Sequence, residues 1–153
     1  MKSSLVHLGL LTLAVSVSGC AYFRAAGARA DARREGIEKF TYAKACDALW
    51  PDLRKDLFTL GISVKDSDTG GSFAIETEPK NVQEGVSERY LITGTAVEAS
   101  RCKVEALKQT LSGNGNIQGG RDTDFEWRLI QKLDPAGAAK IEADAEAAAA
   151  AVR

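Results

Sequence analysis

Histidine is almost missing from this chain of 153 residues: His7 is the only one. Everything beyond it lacks an imidazole, so no Ser-His-Asp triad, Cys-His dyad or histidine metal site can be assembled there. Acid–base chemistry would fall to Asp, Glu, Lys or Tyr. A surplus of positive charge is missing too, with 20 Lys and Arg against 21 Asp and Glu. A nucleic-acid partner would call for a basic face, so none is assigned. No apolar run reaches the ~20 residues that a bilayer span needs. Cysteine is scarce at three residues, and no internal repeat is visible. The reading is therefore non-enzymatic, with no catalytic residue, cofactor or metal ligand.

What the chain does have is concentrated at its start. Lys2 supplies a positive charge, and residues 5–15 form an apolar run broken only by His7, Gly9 and Thr12. Val17-Ser18-Gly19-Cys20 closes it. The run is too short to cross a membrane and fits a cleaved signal peptide over residues 1–19. Its ending resembles the lipobox of bacterial lipoproteins, in which small residues precede an acylated cysteine. The resemblance implies lipidation of Cys20, which becomes the first residue of the mature protein, while His7 leaves with the signal. Ala21 in place of aspartate implies the outer membrane as the destination.

Two cysteines then remain, Cys46 and Cys102. The envelope beyond the inner membrane is oxidising, so an even pair reads as a disulfide, with two buried free thiols as the alternative. The loop of ~56 residues that it closes is worth roughly 4 kcal/mol in the chain-entropy model. Nothing resembles the Cys-x-x-Cys of a redox site.

Along the body, residues 20–39 read as a lipidated flexible tether, rich in Ala and Arg, with a coil reach on the order of 25 Å. Residues 40–134 form the α+β domain, and 135–153 an Ala-rich helix or tail that frays or projects for want of large anchors. Within the domain, Cys46, Leu49, Trp50, Leu53, Leu57 and Leu60 recur at helical spacing, which predicts a helix over 41–60. Thr41 is the expected cap and Gly61 the stop, and Pro51 forces either a bend or a start near Asp47. Strands are expected over 62–65, 73–78, 89–98 and 102–111, separated by a turn at 66–71, a polar loop at 80–87 and a tight hairpin at 99–101. The glycine-rich stretch 112–120 reads as a mobile loop. A last helix begins near Asp122, and Asp134-Pro135 supplies a stop and a restart.

The remaining motifs are weak. Asp66-x-Asp68-x-Gly70-Gly71 begins like a calcium loop, but Gly70 and Thr77 stand where a ligand Asp and Glu belong, so a hairpin turn is the better reading. Residues 113–119 miss both phosphate-loop patterns. Glu76 and Glu78 share a strand face that alternation turns toward solvent. Trp50, Phe58, Phe73, Tyr90, Phe125 and Trp127 should mostly be core, although a helix packed on a curved sheet can leave a ligand cleft between such residues.

The element order gives an α+β fold: a four-stranded antiparallel sheet with an N-terminal and a C-terminal helix on one face. The Trp-containing helix ending in Leu60-Gly61-Ile62, then a strand, Asp68-x-Gly70 and Phe73-Ala74-Ile75-Glu76-Thr77, resembles the helix-grip domains of BamC (NlpB)-type envelope lipoproteins. The resemblance implies a binding or scaffolding accessory of the envelope, with an envelope protein as partner and the membrane engaged through N-terminal acylation. The alternative is a lipid or small-molecule binder using a cleft between helix and sheet. A histidine-free envelope hydrolase ranks last.

Overall fold

The computed structural model describes residues 4–65 and 73–152, with side chains described from Ala21 onward. Among these residues there are four helices and a six-stranded antiparallel sheet. The expected turn at Asp66, Asp68, Gly70 and Gly71 lies outside the described residues. The chain divides into two compact units: Ile37–Ala138, and residues up to Gly36 together with those from Ala139 on.

In the larger unit the first helix, α2 (Cys46–Thr59), follows α1 (Ser4–Lys39) in the chain. It starts at Cys46, with the first residue of the apolar stripe and beside the late start near Asp47 that Pro51 suggested, rather than at Thr41. Ala45 occupies the cap position without a side-chain bond, while Thr41 accepts from Arg101 instead. Its end follows from Gly61, whose φ of 70° suits a residue without Cβ. The Gly61 amide donates to Phe58 (3.0 Å) and the Ile62 amide to Leu57 (2.9 Å), the paired bonds of a Schellman stop.

The strands are β1 (Val64–Lys65), β2 (Ala74–Thr77), β3 (Lys80–Gln83), β4 (Val86–Glu98), β5 (Arg101–Ser112) and β6 (Ile117–Arg121). They run β1-β2-β4-β5-β6, with β3 also paired to β4. The expectation of four strands is thus corrected by two additions. β3 lies in the expected polar loop; all four of its residues are exposed, so alternation has nothing to bury and leaves no mark. β6 lies in the expected glycine loop, paired with β5 from Leu107↔Arg121 to Leu111↔Ile117. Gly119 suits that place because a Cβ there would come within 3.0 Å of the Lys108 carbonyl oxygen.

Register puts one face of the sheet inside. Ile75 pairs with Ile92, and Ile92 with Ala106, and all three are buried. Leu49, Leu53 and Leu57 of α2, with Phe125 and Leu129 of α3 (Thr123–Leu133), cover this face. The opposite face carries polar pairs, with Arg89 bound to Glu76 and its Nε donating to Gln109 at 2.8 Å. One apolar and one wet face is the usual state of an antiparallel sheet.

Tyr42 bridges to the head of β5, exchanging backbone bonds with Cys102 (2.8 and 3.2 Å). This docking holds Cys46 and Cys102 at disulfide distance, with Cα atoms 4.9 Å apart, inside the ~7 Å limit.

One further expectation is corrected: residues 21–39, read as coil, belong to the continuous helix α1, most of it in the smaller unit. The Ala-rich segment takes the helical of its two expected forms, α4 (Pro135–Ala150). Within the unit the helices are antiparallel: Gly36 lies against Ile141, and Arg29 and Arg33 reach Glu142 farther along α4. Alanine needs no bulky anchor when two helices approach closely. Ala25, Ala145 and Ala149 are buried here, and Arg29 also pairs with Glu146 at 2.8 Å.

Candidate binding cleft

Among the described residues, the sheet and helices of the larger unit part between the end of α2 and α3. β2 follows β4 as far as Thr77, where backbone pairing stops; the Thr77 hydroxyl accepts the Tyr90 amide at 2.8 Å instead. The Glu78 amide turns the other way and donates to Ser63 at 2.9 Å. Pro79 has no amide to give, and the strand rejoins β4 only at Lys80. The Schellman turn at the end of α2 stands on one side of this opening and α3 on the other.

The result is a cleft of about 580 Å³, lined among others by Leu60, Ile62, Thr77, Tyr90, Phe125 and Arg128. Its floor is the stacked pair Tyr90–Phe125, with ring centroids 4.2 Å apart and planes 17° from parallel. Phe125 is held by the start of α3, where Asp122 accepts its amide at 2.8 Å. The other carboxylate oxygen of Asp122 accepts the Tyr90 hydroxyl at 3.1 Å, so one side chain positions both rings. Arg128, one turn on from Phe125, places its guanidinium 5.3 Å from that ring's centre, a cation–π distance.

The charges around the cleft are mixed: Glu78 and Glu88 against Lys80 and Arg128. Glu88 binds Lys108 at 2.9 Å, and this hydrogen bond holds the Lys108 ammonium above its ordinary range. Burial, followed by the Asp122 carboxylate, raises the Tyr90 hydroxyl above its usual value. The arrangement offers an aromatic floor with a hydrogen-bonding rim of mixed charge, which suits binding. No sequence resemblance adds to this geometry: the chain matches no protein-family model, and no curated protein matches it significantly.

The residues singled out by sequence fall in different places. Of the six candidate aromatics, Tyr90 and Phe125 line the cleft. Trp50 and Phe73 meet edge to face elsewhere at 5.5 Å, and Phe58 is 83% exposed on α2. Trp127 is on α3 but outside the cleft lining. Glu78 stands at the cleft edge, while Glu76 is engaged by Arg89. Cys20 falls within α1, with its side chain outside the described residues. Among the described residues no group of His, Cys, Asp or Glu is placed to hold a metal ion, and no helix is long and apolar enough to cross a membrane. Sequence reasoning missed Thr77 and Arg128. The spacing of Arg128 from Phe125, three positions on one helix, was the available signal.

Proposed function

We propose that this chain is a lipoprotein of the outer membrane, acylated on Cys20 and facing the periplasm, whose α+β unit binds an envelope protein as a non-enzymatic scaffolding accessory. The observation that carries the reading is the Cys46–Cys102 pair at disulfide distance. Such pairs persist in oxidising compartments and are rare in the cytosol. They belong with the Val17-Ser18-Gly19-Cys20 ending. Two helices on one sheet face also suit a helix-grip module of the BamC type, here with six strands. The binding role rests on the cleft, where Asp122 accepts the Tyr90 hydroxyl and Lys108 pairs with Glu88.

Cys20→Ser is expected to leave the domain folded and to move the protein from the membrane to the soluble fraction of the periplasm. An unchanged membrane fraction overturns the anchoring. A photo-cross-linker at Val82, on the cleft rim, is expected to give a discrete adduct with an envelope protein in cells, and its absence counts against scaffolding. The cleft's size favours a second reading as a lipid or small-molecule site, since ligand pockets run to ~300–1,000 Å³. Native mass spectrometry of the purified protein separates the two, because a retained small ligand adds a defined mass.

A further inference from the structure

Tyr22 and Phe23 are three-quarters exposed, at 73% and 76%, and their rings meet edge to face at 6.0 Å. They form one aromatic patch on α1, two and three residues beyond Cys20. Packing within the helical unit leaves this patch uncovered. The α1 face toward α4 runs through Ala25, Arg29, Arg33 and Gly36. Tyr22 only edges the shallow groove beside Ala149, and Phe23 lies outside it. Arg24 follows, also exposed, and α1 holds no acid between Cys20 and Asp31.

We infer that Tyr22, Phe23 and Arg24 dock on the phospholipid headgroup layer of the membrane that holds Cys20. The inference rests on the reading of Cys20 as acylated and adds a second, non-covalent contact to it. Helical rise sets Tyr22 and Phe23 only about 3 and 4.5 Å along the axis from Cys20. The headgroup layer of one leaflet is roughly 5–7 Å thick. A helix without a break leaves no spacer by which the two rings could avoid that layer. Their chemistry fits the place. Aromatic rings concentrate where hydrocarbon meets water, and a guanidinium finds phosphate there. A second copy of the chain would be held by matched apolar area or opposite charge, whereas this patch carries a lone cation and no acid.

The test uses the protein processed and acylated in cells, then reconstituted into phosphatidylethanolamine–phosphatidylglycerol vesicles containing lipids brominated at the top of the acyl chain. Intact mass first reports whether the acyl group is present. In Phe23→Trp, the added emission is expected to fall by roughly half, as for a ring seated at the headgroup–acyl boundary. The native Trp50 and Trp127 give the baseline in the unsubstituted protein. An acylated Phe23→Trp protein quenched no more than that baseline overturns the inference and leaves the anchoring intact. A protein without the acyl mass overturns both. A Phe23→Ala change that turns a detergent-solubilised dimer into a monomer assigns the patch to a second copy and likewise overturns the inference.

Discussion

Gly94 lies on β4 beneath the rings of Trp50 and Phe73, and its amide donates to the Phe73 carbonyl at 2.7 Å. A Cβ there would stand 2.7 Å from a Trp50 ring carbon and 2.9 Å from the Phe73 Cβ, while one on Gly120 would meet nothing within 4 Å. Gly94→Ala should therefore lower stability by about 1–3 kcal/mol through overpacking. Gly120→Ala should stay within about 0.5 kcal/mol of the parent. Equal urea midpoints for the two variants would contradict this. Tyr42 governs a different condition. Burial first, then the nearby carboxylates of Glu126, Asp134 and Asp56, hold its hydroxyl well above the ordinary value of 10.0. A proton held more tightly in the folded state lends stability that is fully present below the unfolded value and is lost as pH rises through the folded one. Thermal stability should therefore decline as pH rises above about 10, and Tyr42→Phe should flatten that decline. An unchanged alkaline limb in Tyr42→Phe would remove Tyr42 as its source.

Between α2 and β5 the Cys46–Cys102 link closes a sequence separation of 56 residues. Both side chains are buried, so Cys46→Ser/Cys102→Ser should remain folded yet lose roughly 4 kcal/mol, read from the urea midpoint. A loss below about 1 kcal/mol would mean that Tyr42 docking alone fixes helix to sheet. The elements that this link joins were the legible ones. α2 announced itself by leucines at helical spacing, β4 and β5 by apolar residues and a short hairpin, and α3 and α4 by Asp122 and Asp134-Pro135. Asp134 does accept the Gly137 amide, at 2.9 Å. What escaped notice shared one physical cause: little or no apolar side chain to read. β3 is wholly exposed, four of the five residues of β6 are glycine or polar, and α1 from Ala21 on relies on alanine. The cleft was legible only in its floor. Its opening comes from β2 leaving β4 between Thr77 and Lys80, a matter of backbone bonds that composition does not record.

At the scale of the whole molecule, the two units are stabilised by different physics. The larger has an apolar core of leucine, isoleucine and phenylalanine and a cross-link; the smaller has alanine contacts and the ion pairs of Arg29 and Arg33 with Glu142 and Glu146. Those pairs are partly exposed, so each contributes little and is screened by salt. Hydrogen bonds from Arg33 and Arg29 hold the Glu142 carboxyl below its ordinary value of 4.5. The stability this lends is present above that value and is lost as pH falls through the lower folded one. Native-state hydrogen exchange should therefore show residues 141–149 opening at lower free energy than β4 and β5. The gap should widen when salt is raised from about 0.05 M to 0.5 M, since the Debye length shrinks from roughly 14 to 4 Å. It should widen again on acidification below the ordinary carboxylate value, while the β5 amides change less. One common opening energy for both units, insensitive to salt, would instead mean that the helical pair unfolds only with the sheet.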